Sequence, residues 1–204
     1  MRVISGRFKG MALTTPKPGT RPTTDRTKEA IFSHLDSWGV LDDARVLDLF
    51  AGTGALGVEA LSRGARELVA VESAAPAAAL IAQTLTALKR NRAWEPGMSA
   101  RVIKARAEKY AASASAVAPF DVIFIDPPYA FETEACNQLL ADLAARELTG
   151  EGTVIVLERS TRSDEPTAPE GWDITDRRDY GETAVYYIES AESAEPAEPV
   201  ESAD

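Results

Sequence analysis

Two short stretches hold residues whose types and order could do chemistry. The first is Asp126-Pro127-Pro128-Tyr129, a carboxylate, two ring-locked backbone units and an aromatic. The prolines fix φ and stiffen the turn, so a carboxylate, nearby carbonyls and a ring are offered in one geometry. That set suits a planar base held by its amino group. An exocyclic amine is a poor nucleophile because its lone pair is delocalised into the ring, and its two hydrogens are the available handle. If Asp126 and the Pro127 carbonyl accept them, the nitrogen is drawn towards tetrahedral geometry and its lone pair can aim at an electrophilic methyl group. Tyr129 would stack on the ring of an unpaired or flipped base, a contact worth roughly 1–3 kcal/mol.

The second stretch, Val46 to Gly57, is an apolar run entering a glycine-rich turn and then a helix. Gly52 and Gly54 allow backbone conformations and a close approach that a side chain would obstruct, so a nucleotide-like ligand could lie on bare backbone. Asp48 and Phe50 lead into that turn. Glu72 ends the next apolar run, 68–72, where a carboxylate suits a ribose diol, and Ser73 follows it. The glycines do not name the ligand: Gly52, Gly54 and Gly57 with Glu72 also fit a dinucleotide fingerprint, which keeps a nicotinamide oxidoreductase open.

The elements that must position these stretches are legible in the alternation of patterns from Arg45 onward. Strands are predicted at 45–50, 67–72, 101–104, 120–125 and 153–158, and helices at 55–63, 76–90, 107–113 and 132–146. Such alternation argues a parallel α/β sheet with right-handed crossovers. It delivers the glycine turn and the tetrad to one carboxyl edge. Runs 172–178 and 183–188 have no room for a helix between them and are expected to form an antiparallel hairpin. A helix after Thr24 should present Ile31, Phe32, Leu35 and Trp38 to the sheet, with Gly39 as its stop. Val3 to Leu13 reads as a small hairpin outside the main fold. The expected organisation is an arm at 1–22, one domain at 23–189, and an acidic disordered tail at 190–204.

The net charge of −10 is unevenly placed. Residues 189–204 hold six acidic and no basic side chains. The first 29 residues carry a local +5 through Arg2, Arg7, Lys9, Lys17, Arg21, Arg26 and Lys28. A basic arm on an acidic body can be a phosphate-contacting surface. No run is long and apolar enough to span a membrane, the start does not read as a signal peptide, and a cytoplasmic monomer is expected. Cys136 is single and falls at helical spacing with Leu139, Leu140 and Leu143, so it reads as core. His34 reads as structural, and Glu158, ending a strand, either borders a base pocket or solvates a strand end.

The glycine motif 48–54 and the tetrad together resemble the class I S-adenosylmethionine-dependent amino-methyltransferases. Arg21-Pro22-Thr23-Thr24-Asp25-Arg26, the Ile4-Ser5-Gly6-Arg7 arm and the 54–63 stretch are similar to the bacterial guanine-N2 methyltransferases of small-subunit ribosomal RNA. The resemblance covers about residues 2 to 189. It implies a seven-stranded Rossmann-like sheet whose last strand is antiparallel. It also implies S-adenosylmethionine as donor, S-adenosylhomocysteine as product, no metal, and 16S RNA, the 30S subunit or an assembly intermediate as partner, with guanine 966 as target. Asp48, Phe50, Gly52, Gly54, Glu72 and Ser73 would hold the donor, Arg106 and Ala107 would flank its adenine, and Asp126, Pro127, Pro128 and Tyr129 would act on the base. Arg2, Arg7, Lys9, Arg21 and Arg26 would meet RNA. Adenine-N6 methylation of DNA on the same fold stays open, because both bases offer a similar amine, as does an RNA-binding assembly factor without catalysis. Arg106 departs from the family pattern, since a cation cannot accept the adenine amino hydrogens.

Overall fold

A computed structural model describes residues 1–14 and 25–191. Arg21, Lys17 and the sequence beyond Ala191, including the expected disordered tail, lie outside the described residues. Elements follow in the order α1 (Asp25–Trp38), β1 (Arg45–Leu49), α2 (Ala55–Ser62), β2 (Glu67–Glu72), α3 (Ala75–Lys89), β3 (Ser99–Lys104), α4 (Ala107–Ser113), β4 (Val122–Ile125), α5 (Thr133–Ala145), β5 (Val154–Ser160), β6 (Trp172–Tyr180) and β7 (Thr183–Ser190).

The strands form a seven-stranded sheet in the order β3-β2-β1-β4-β5-β7-β6. The first five pair in parallel, while β7 runs antiparallel to both β5 and β6. Strand β1 is buried at all five residues because neighbours flank it and helices cover both faces. Strand order reverses between β1 and β4, which places the crevice of an open α/β sheet at their carboxyl ends.

Alternation along the strands divides the interior in two. Val46, Ala70, Phe124 and Val156 face one layer with Ile31, Phe32, Leu35, Val58 and Ile81. Leu47, Val71, Ile123 and Leu157 face the other with Ala111, Cys136, Leu139 and Leu143. Cys136 is thus core, and burial pushes its thiol up to about 11. His34 is wedged between Trp38 and Tyr187, with ring centroids at 4.1 and 4.6 Å, and burial lowers its pKa.

Two expectations are corrected. The amino-terminal arm is not outside the fold: Val3, Phe8 and Leu13 are buried in the first core layer. Gly6 lies so close to the end of α2 that a Cβ would fall 1.9 Å from the Ser62 carbonyl oxygen. The Glu59 carboxylate, fully buried on α2, accepts the Ile4 and Ser5 amides at 2.9 and 3.0 Å and pairs with Lys28 at 3.3 Å and Arg63 at 3.0 Å. Lys28, counted above in the positive charge of the first 29 residues, is therefore consumed in the interior. The second correction concerns β5. It does not stop at Glu158 but continues to Ser160, because Glu158, Arg159 and Ser160 pair with Val185, Ala184 and Thr183 of β7. Likewise Ser190, assigned to the tail, pairs with Trp172.

Candidate functional site

Alternation and register decide what meets at the carboxyl edge. Asp48 pairs with Ala70 of β2 and Phe124 of β4, and Phe124 with Val156 of β5. Two residues beyond those partners stand Glu72, Asp126 and Glu158, on the same face of the sheet as Asp48. Four carboxyl groups thus converge from four adjacent strands. Among the described residues no three His, Cys, Asp or Glu side chains are arranged to hold a metal ion.

Each carboxyl plays a different part. Asp48 is 1% exposed and accepts the Gly57 amide at 3.0 Å, tying the first turn of α2 to β1 from beneath. Burial, opposed by that hydrogen bond and reinforced by Asp126 and Glu72, raises its pKa to about 7. Glu72 clamps the turn from the side: its oxygens accept the Gly52 and Ala74 amides, both at 2.8 Å. Glu158 is buried, and its pKa is driven well up by desolvation first and by Asp126 and Asp48 next. Asp126 is half-buried at the start of the loop after β4.

The turn itself carries left-handed backbone at Phe50, Gly52 and Gly54 (φ 58°, 57° and 75°). Gly54 caps α2, so the amides opening that helix face the edge where a ligand would lie. Phe50 packs edge-on against Phe131 at 5.1 Å, bringing the glycine turn into contact with the segment that follows the tetrad. Pro127 is buried, Pro128 exposed, and Tyr129 is 60% exposed. A recess of about 350 Å³ lies beside Tyr129, lined by Ser160, Arg162, Ser163 and Glu182.

The other sequence-predicted residues are less uniformly placed. Ser73 is exposed just past β2, and Ala107 is buried at the start of α4. Arg106 points outward to Glu108 at 2.9 Å, and the neighbouring backbone joins the edge through the Ala105 amide on the Glu72 carbonyl. In the arm, Met1 lies 4.0 Å from the Thr53 hydroxyl, near the glycine turn. Arg7 instead pairs with Glu95 at 3.1 Å, in the loop leading into β3, at the opposite edge of the sheet. Arg2, Lys9 and Arg26 are exposed. Among the described residues, the charges of the arm and of Arg26 do not form one surface at the site. Glu158, left ambiguous by the sequence, is the residue the structure promotes; the signal lay in its being the only acid of an otherwise apolar run, 154–158.

The donor set suits a cationic, nucleotide-bearing ligand. Converging carboxyls favour a positive centre, and the glycine turn leaves backbone bare beside Glu72.

The chain is similar to known proteins along most of its length. A family model described as Conserved hypothetical protein 95 matches residues 1–189. The ribosomal RNA small subunit methyltransferase D of Escherichia coli K12 is 32% identical over 185 residues, 90% of this chain and 87% of that one. The solved structure of the Escherichia coli protein yhhF matches with a TM-score of 0.79 at 30% identity, covering 93% of this chain and 97% of that one. The magnesium protoporphyrin IX methyltransferase of Synechocystis, solved with bound SAM, shares the class I methyltransferase fold at a TM-score of 0.60 and 13% identity, over 83% and 86% of the two chains. Matched along nearly its whole folded length, the chain belongs to the Conserved hypothetical protein 95 family, and the family resemblance drawn from its motifs holds.

Proposed function

We propose that this protein transfers a methyl group from S-adenosylmethionine to the exocyclic N2 amine of a guanine in 16S ribosomal RNA, guanine 966 being the target that the family resemblance implies. Relatives named as ribosomal RNA methyltransferases support the methyl transfer and the RNA class. The observation that carries the reading is the meeting of the glycine turn and the tetrad at one sheet edge, joined by the Phe50–Phe131 contact at 5.1 Å.

Glu72 and the Gly52–Gly54 backbone would hold the donor's ribose and methionine ends, while the ionised Asp48 offsets positive charge from below. When bound, the donor supplies a methyl group on a sulfonium and departs as neutral S-adenosylhomocysteine. Asp126 and the Pro127 carbonyl accept hydrogen bonds from the two amine hydrogens and direct the lone pair in line with the methyl carbon. As the C–N bond forms the S–C bond breaks, and the proton shed by the methylated amine passes by way of the Asp126 carboxylate to solvent, while Pro128 stiffens the loop and Tyr129 stacks on the base. Ser73 and the Arg106–Ala107 backbone border the adenine side. Arg2, Lys9 and Arg26, with Arg21, are the RNA-contacting cations of this reading. Arg7 is assigned elsewhere because Glu95 neutralises it. The protein acts as a monomer in the cytoplasm, where the subunit is assembled.

Tritiated S-adenosylmethionine with 30S subunits or 16S RNA from cells lacking the protein, followed by nucleoside mass spectrometry, tests this directly. N2-methylguanosine is the expected product. N6-methyladenosine in DNA, or no incorporation into either nucleic acid, sinks the assignment. Asp126→Ala is expected to bind donor nearly as well as the parent while losing more than about a hundredfold in turnover, as removal of an orienting polar group in a closed site does; an undiminished rate removes its role.

A further inference from the structure

The proposed chemistry gives the buried Glu158 carboxyl no work. It is 4% exposed, and its Oε1 has no hydrogen-bond partner. The Tyr187 hydroxyl, on the same sheet face from β7, is likewise buried and without one. An unmet buried carboxyl weakens a fold, so stability does not explain it. Register does point to a ligand. Leu157 pairs with Ile125, the last residue of β4, which brings Glu158 beside Asp126, the next residue of the chain. Neighbouring strands lie roughly 4.8 Å apart, a span like that between the amine and carbonyl substituents of a purine's pairing edge.

Resting on the guanine reading above, we propose that Glu158 is the residue that selects guanine, its neutral carboxyl accepting the N1 hydrogen through its carbonyl oxygen and donating its own hydrogen to O6. Asp126 and the Pro127 carbonyl then keep the N2 hydrogens. A neutral acid matches the lactam edge of guanine donor for acceptor. A carboxylate would face O6 with a second negative charge, and adenine offers neither an N1 hydrogen nor an O6 acceptor. The surroundings favour the neutral form: burial first, then Asp126 just past the end of β4 and Asp48 from β1, oppose its ionisation, while Glu158 in turn helps to keep the Tyr187 phenol of β7 protonated. The inference gives the site its base specificity, which the tetrad by itself lacks.

Glutamine reproduces the neutral acid's acceptor and donor but does not titrate, so it separates a binding role from a packing one. Full-length parent, Glu158→Gln and Glu158→Leu are compared on 30S subunits from cells lacking the protein, with kcat and KM followed across pH, donor affinity measured separately, and product nucleosides identified. Glu158→Leu is expected to lose more than about tenfold in kcat/KM, with donor affinity kept and Tm equal or higher. Glu158→Gln recovers most of that loss. It also lacks the fall in kcat/KM that the parent shows as rising pH ionises Glu158. A Leu variant as active as the parent, a Gln variant as defective as Leu, or the same high-pH fall in the parent and Gln overturns the role of Glu158 alone. Failure of the parent to make N2-methylguanosine is read from the product and overturns the underlying guanine reading along with it.

Discussion

At the scale of single residues, the edge of the sheet is set by how its carboxyls share negative charge. Asp48 is held near the midpoint of its titration at neutral pH by burial, with Asp126 and Glu72 adding repulsion. A cationic ligand stabilises the ionised form. Donor affinity is therefore expected to rise several-fold between pH 6 and 8, and isothermal titration of S-adenosylmethionine against Asp48→Asn should show that slope flattened. The same group has the opposite effect on the ligand-free fold. Its folded pKa lies above its ordinary value of 3.8, so the unfolded chain releases the proton first and stability declines as pH rises from about 4 to about 7, levelling beyond. Denaturant midpoints across that range check the sign, and Asp48→Asn should remove part of the decline. The chemistry-bearing residues were legible at this scale because Asp126 to Tyr129 is a contiguous string. The placement of Asp48 beneath the turn, with its oxygen on the Gly57 amide, was not, because that contact links residues nine apart through a turn whose path only coordinates give.

At the scale of elements, the junction of β1 and α2 shows how tightly the turn is built. A Cβ on Gly57 would lie 2.5 Å from Leu68 Cδ1 and 3.0 Å from Asp48 Oδ2, one neighbour on β2 and the other on β1. Gly57→Ala is expected to cost about 1–3 kcal/mol of stability and to weaken donor binding by tilting α2. A denaturation midpoint equal to the parent's would show that Leu68 yields freely. Gly57 was visible in the sequence as part of a fingerprint, yet its reason is helix–strand packing. The arm shows the converse. Its short apolar pieces, separated by Gly6 and by Lys9-Gly10, suggested a peripheral hairpin, but burying Val3, Phe8 and Leu13, each worth about 1.5–3 kcal/mol, outweighs that local impression. The Glu59 carboxylate then fixes the arm, α1 and α2 to one another.

For the whole molecule, charge is the quantity that matters to a polyanionic partner. Glu192, Glu195, Glu198, Glu201 and Asp204 supply half of the net −10. Removing residues 192–204 is expected to tighten RNA binding at low salt by a few-fold and to leave Tm unchanged; filter binding at two salt concentrations checks this, and affinity indifferent to the truncation at low salt counts against a long-range field. Charge reversal at Lys9 and Arg26 is the better probe of RNA contact than deletion of the arm, since deletion empties core. Sequence by itself determined the order of elements, the parallel sheet with its antiparallel end, and the two loops that share an edge, because periodicity, glycine and proline act locally along the chain. Only the tertiary structure decided which cations are spent in ion pairs, how far β5 runs, and that Glu158 stands beside Asp126. Those depend on pairing between residues far apart in sequence, Lys28 with Glu59 and Glu158 with Val185, where the free energy of burial and register outweighs what any short segment prefers alone.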